Sequence, residues 1–126
     1  MANSVVHFEI PLDDVERGHG FYREVFGWQV ETMAEFDYAS AMTGKVDENG
    51  MPADPGVING GMMRREEPLT KPMITIGVDD IEATLKTIEG HGGTTVLAKQ
   101  PVGQMGFAAY FTDSEGNTLG LWESAR

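Results

Sequence analysis

Ile10-Pro11-Leu12-Asp13-Asp14-Val15 and Ile76-Gly77-Val78-Asp79-Asp80-Ile81 are one strand-to-helix junction written twice, 66 positions apart. Upstream of the first copy, Val5-Val6-His7-Phe8-Glu9-Ile10 sets Val6, Phe8 and Ile10 on one face and Val5, His7 and Glu9 on the other. That period of two predicts a strand with one apolar and one mixed face. Pro11 has no N–H to give and is expected to stop the ladder. Asp13 can accept from the orphan N–H groups of a helix start, with Glu16 three residues on as in a capping box. Val15, His19, Tyr22 and Phe26 follow at helical spacing, and Gly27 is expected to close the helix in the left-handed region. In the second copy Ile74, Ile76 and Val78 form the apolar strand face, Ile81, Leu85 and Ile88 the helix face, and Gly92-Gly93 the end.

The repeat extends outward. Gly27 and Gly50 return as Gly93 and Gly116 at the same offset, whereas the last strand drifts, Gly60 best matching Gly120 at an offset of 60. The difference is assigned to a longer loop at Met51-Pro52-Ala53-Asp54-Pro55-Gly56. Further strands are predicted at Trp28–Glu31, Phe36–Met42, within Val57–Met63, and near Thr94–Ala98, Gly106–Thr112 and Thr118–Trp122, with turns at Asp47–Gly50 and Asp113–Asn117. One such module leaves a sheet face bare, and two side by side can cover it. The expected architecture is therefore α+β: a single domain over residues 1–126, made of two tandem βαβββ modules (1–66 and 72–126, linker 67–71) that form a curved mixed sheet with the helices outside. The mixed strand faces, with His7, Glu9, Met73 and Thr75, would line the concave side.

Composition narrows the functions. At 126 residues the chain can bury roughly two-thirds of its unfolded surface, enough for a core without staples. It has no cysteine, which excludes disulfides, thiolate metal sites and a thiol nucleophile. Nine basic against twenty acidic residues give a net charge of −11, which repels phosphate backbones, so no nucleic-acid partner is expected. The first residues lack a basic segment followed by an apolar run, and nothing approaches the roughly 20 apolar residues of a membrane span. A cytoplasmic protein with no membrane partner is the expectation.

The chain resembles the vicinal oxygen chelate (glyoxalase/bleomycin-resistance) superfamily, in its lactoylglutathione-lyase-related branch. The resemblance rests on Val5–Pro11, on Asp13-Asp14 leading to Phe21-Tyr22-Arg23-Glu24-Val25-Phe26-Gly27-Trp28, and on Val78-Asp79-Asp80-Ile81 leading through Gly90-His91-Gly92-Gly93 to Asp113-Ser114-Glu115-Gly116-Asn117-Thr118-Leu119-Gly120-Leu121-Trp122-Glu123. It implies the glyoxalase/bleomycin resistance/dihydroxybiphenyl dioxygenase fold, a homodimer and a small-molecule ligand. Metal-dependent members place His or Glu on the first and last strands of each module, and here those positions carry over to His7, Gly60, Met73 and Gly120. Only His7 can ligate, against the three or so protein ligands of a catalytic zinc site. Glu123 and Asn59 differ by odd steps from Gly120 and Gly60 and should point away. No cofactor is expected, a divalent metal being the lesser alternative.

The remaining candidates follow from strand parity. His7 and Glu9 share a face and could form an acid/base pair. Met62, Met73, Thr75 and Trp122 are expected to line the ligand cleft with them, and Tyr38 and Tyr110 are added without a firm register. His19 and His91 are read as structural or surface residues, and Phe21, Tyr22, Phe26 and Trp28 as packing. Pro101-Val102-Gly103-Gln104-Met105-Gly106 lacks phosphate-loop spacing and is read as a lip over the cleft. Three functions stay open: a metal-independent enzyme of the lyase or isomerase type, a non-catalytic sequestering or sensing module, and a metal-dependent lyase or dioxygenase.

Overall fold

The computed structural model describes residues 3–33, 38–49 and 51–125. Contacts divide the chain into two compact units, His7–Pro72 and Met73–Arg126, the latter joined by the N-terminal residues up to Val6. Along the chain run β1 (Val5–Leu12), α1 (Val15–Phe26), β2 (Gln29–Met33), β3 (Tyr38–Met42), β4 (Gly60–Arg64), β5 (Met73–Gly77), α2 (Ile81–Gly90), β6 (Thr94–Val102), β7 (Gly106–Thr112) and β8 (Thr118–Ser124). This is the expected α+β order of βαβββ twice over.

In the unit His7–Pro72 the strands lie in the order β2-β3-β4-β1, with β1 parallel to β4 and the other pairs antiparallel. β1 does not stop at Pro11, which sits opposite Met63 in the ladder. In a parallel pair alternate residues direct their N–H away from a given neighbour, so proline there need not cost a bond. The cap of α1 is Asp14, not Asp13: its Oδ1 accepts from the Arg17 N–H at 3.0 Å. Asp13 is taken by Arg65, whose Nε lies 2.7 Å from its Oδ1. Gly27 ends the helix at φ 71° as expected. The third strand begins at Tyr38; Phe36, Asp37 and the turn residue Gly50 lie outside the described residues.

Leu12, Val30, Ala39, Ala41 and Met62 form this unit's core, with Phe8, Ile10, Tyr22 and Trp28 against it. Tyr22 and Trp28 stack at 4.9 Å between centroids, but Phe21 and Phe26 are more than half exposed, so only part of the expected aromatic packing is core. His19 points inward from α1 and is buried. Desolvation, with help from the Arg23 charge and against Glu16, lowers its pKa. The unfolded chain therefore takes up this proton first, and stability is lost as pH falls through the ordinary histidine range. Urea midpoints measured between pH 7.5 and 5 should fall for the wild type and flatten in His19→Gln; an unchanged slope would show that His19 is not the cause.

The unit Met73–Arg126 orders its strands β5-β8-β7-β6, again with one parallel pair, β5 with β8. Ile81, Leu85, Val78, Ala109, Phe111 and Leu121 make its core. α2 is capped twice: Asp80 Oδ1 accepts from Ala83 N–H at 3.1 Å, and Glu123 Oε1 from Ile81 N–H at 2.9 Å. β6 runs further than expected, and the segment read as a lip is a β6–β7 hairpin, Pro101 facing Phe107 and Val102 facing Gly106. Gly103, at φ 53°, makes that turn.

Candidate functional site

Strand register decides which side chains meet. On β1, Phe8, Ile10 and Leu12 go under α1, so His7 and Glu9 occupy the opposite face, as their parity predicts. Glu9 faces Gly61 on β4, and Gly61 faces Ser40 on β3, two residues beyond Tyr38. Tyr38 is thus on the same face and reaches diagonally back across β4. Its hydroxyl donates to Glu9 Oε2 at 2.8 Å and lies 2.7 Å from His7 Nε2. Glu9 Oε2 and His7 Nε2 are 3.8 Å apart, so the phenol bridges them. Glu9 is only 6% exposed, whereas the His7 side chain is about a third exposed.

The proton positions follow from what each group can do. An ionised carboxylate only accepts, so the Tyr38 proton points to Glu9. In the tautomer with hydrogen on His7 Nε2, that N–H donates to the Tyr38 oxygen and Nδ1 is the basic nitrogen. A proton arriving at Nδ1 makes an imidazolium whose charge is balanced through the phenol by a nearly buried carboxylate. The chain is suited to taking and returning a proton.

Gly61 is what lets Tyr38 in. A Cβ built on Gly61 would fall inside the Tyr38 phenol group. Sequence parity missed this residue and took its neighbours instead. Gly60 is on the α1 side, where a Cβ would run into Phe8, so it does not share a face with His7. Met62 faces Ile10, is 1% exposed and belongs to the core, on the face away from His7. The β4 residues on the His7 side are Gly61 and the half-buried Met63, which faces Tyr38. The last strand of the repeat therefore has an offset of 59, Gly61 matching Gly120 as Glu9 matches Thr75: Glu9 faces Gly61 and Thr75 faces Gly120.

In the unit Met73–Arg126 the corresponding face carries the other candidates together. Thr75 faces Gly120, Gly120 faces Tyr110, and Trp122 faces Ala108. Met73 lies two residues before Thr75 on β5, and both are buried, while Tyr110 and Trp122 are half-buried. Trp122 leans over Gly106, where a Cβ would come within 2.6 Å of its Cζ2, and its Nε1–H donates to Ser124 Oγ at 3.2 Å. Glu123 is on the other side, held by Ile81 N–H and by Lys99 Nζ at 3.3 Å. The Ile81 N–H, ahead of Lys99, keeps its carboxyl below the usual range. Asn59 is likewise engaged, its Oδ1 accepting from the Thr43 N–H at 2.8 Å and the Gly44 N–H at 3.3 Å. His91 caps α2, its ring 2.8 Å from the Thr87 carbonyl oxygen.

These residues do not fit the metal centre that the fold implies. In one unit the donor positions are His7, with Nε2 turned to Tyr38, and Gly61, covered by the Tyr38 ring. In the other they are a thioether, Met73, and Gly120. Among the described residues no group of three His, Asp or Glu is placed to hold an ion, against about three protein ligands for catalytic zinc.

Comparison with known proteins places this geometry. Residues 4–44 match the family model described as the bleomycin resistance protein-like N-terminal. A glyoxylase-like domain-containing protein of Didymella fabae is 32% identical over 114 residues, covering 87% of this chain and 85% of its own. Lactoylglutathione lyase of Haemophilus influenzae is 28% identical over 124 residues, covering 95% and 92%. A variant of methylmalonyl-CoA epimerase of Streptomyces coelicolor, solved with 2-nitronate-propionyl-CoA, shares the fold at a TM-score of 0.64 and 19% identity, covering all of both chains. The chain belongs to the vicinal oxygen chelate superfamily as a glyoxalase-like protein. No helix among the described residues is long and apolar enough to cross a membrane.

Proposed function

We propose that this protein is a metal-independent enzyme of the lyase or isomerase type, moving a proton on a small organic molecule with an acidic C–H beside a carbonyl. The observation that carries the reading is the His7–Tyr38–Glu9 chain: two short hydrogen bonds linking an accessible imidazole to a nearly buried carboxylate. His7 Nδ1 takes the proton, Tyr38 keeps the ring oriented, and Glu9 balances the charge that forms. Lyase and epimerase chemistry in similar proteins supports the same class of reaction.

Exchange of carbon-bound hydrogen in D2O, followed by NMR over a panel of small α-hydroxyketones and thioesters, tests this for the whole substrate class at once. The wild type should exchange at least one compound, and Glu9→Gln and His7→Ala should each slow it about 10²–10⁴-fold. A Glu9→Gln variant as fast as the wild type would sink the assignment. The second reading, a sequestering module, draws on the three ligand positions that offer no donor, and saturable binding with no exchange would establish it instead.

A further inference from the structure

We propose that the unit Met73–Arg126 carries a hydrogen-bond-donor notch, the Thr75 hydroxyl beside Gly120, that selects small apolar molecules bearing a neutral acceptor oxygen. The inference rests on the reading that the chain takes a small organic ligand, and it names the chemistry by which that ligand is chosen. Thr75 is 5% exposed, yet its hydroxyl has no hydrogen-bond partner among the described residues. Leaving a buried hydroxyl unmatched normally costs stability. No fully buried polar side-chain atom among the described residues lacks a partner, so the Thr75 oxygen keeps an edge open to solvent.

What keeps that edge open is the residue opposite. Thr75 faces Gly120 across the parallel β5–β8 pair, and a Cβ on Gly120 would stand 2.8 Å from Thr75 Oγ1. Any side chain at 120 would cover the hydroxyl. Around the notch, Met73 and Trp122 give an apolar, polarisable wall. The paired residues of this face, Met73, Thr75, Gly120, Tyr110, Ala108 and Trp122, include no cation, and Lys99 is committed to Glu123 and to the ring of Phe107, 4.4 Å away. A carboxylate would arrive there unbalanced in a chain of net charge −11, whereas a carbonyl or ether oxygen would meet the Thr75 hydroxyl as a donor.

The test uses two probes of one shape, acetophenone and α-methylstyrene, in which C=O is replaced by C=CH2. Ligand-detected NMR titration of the full chain should show the wild type binding the ketone about tenfold more tightly than the hydrocarbon. Thr75→Val, which keeps the shape and removes the hydroxyl, should bring the two dissociation constants together, and Thr75→Ser should keep them apart. A wild type that does not favour the ketone, or a Thr75→Val variant that still does, would overturn the proposal. The readout is binding selectivity and not turnover, so failure here leaves the proton-transfer reading standing, and a protein that exchanges no hydrogen can still show the selectivity.

Discussion

Gly61→Ala is expected to destabilise the protein by about 3 kcal/mol, well beyond an ordinary glycine-to-alanine change in a strand. The new methyl group would occupy the place of the Tyr38 phenol, so the ring must leave. With it go the bond that Tyr38 donates to Glu9 and the bond it shares with His7. Hydrogen bonds to a charged group are worth about 1.5–3 kcal/mol, and the displaced ring adds strain. Urea unfolding reads the cost, and a double-mutant cycle isolates its cause. In a Tyr38→Ala background, where no ring covers position 61, the same substitution should cost almost nothing. An equal cost in both backgrounds would show that the penalty comes from the β4 backbone and not from Tyr38.

Met62→Ala should cost about 2–5 kcal/mol by emptying the middle of the core around Leu12, Val30, Ala39 and Ala41. The neighbouring Met63→Ala, on the opposite face and half-buried, should cost less than about 1 kcal/mol. Paired denaturation curves check both. If Met63 proved the expensive one, the two faces of β4 would be exchanged, and with them the placement of Gly61 beside Glu9.

The difference between those methionines also shows where the sequence was silent. β1 was legible because its apolar and mixed residues alternate cleanly over six positions, so the faces of His7 and Glu9 followed directly. β4 reads Gly60-Gly61-Met62-Met63, two doublets with no alternation, and a strand misread by one residue turns every side chain over. The usable signal lay in the other copy: Thr118-Leu119-Gly120-Leu121-Trp122 does alternate, and setting Met62 against Leu121 gives the offset of 59 that the ladders show. The choice of Asp14 over Asp13 as helix cap recurs at Asp80 over Asp79 in the second copy, so it follows from where each helix begins. What the sequence did not show is that Asp13 is then taken by Arg65, 52 residues away. Tyr38 could be suspected, since a half-buried phenol needs a partner, but its partners are set by a glycine on another strand.

That glycine constrains how the chain can change over generations. A carboxylate at position 61 is what the family's metal-binding members would call for, yet Gly61→Glu alone collides with Tyr38, and removing Tyr38 alone unlinks His7 from Glu9. Positions 61 and 38 are therefore sterically coupled: a side chain at 61 needs the ring at 38 gone, and the ring at 38 needs glycine at 61, so the two can change only together if that space is to hold a new donor.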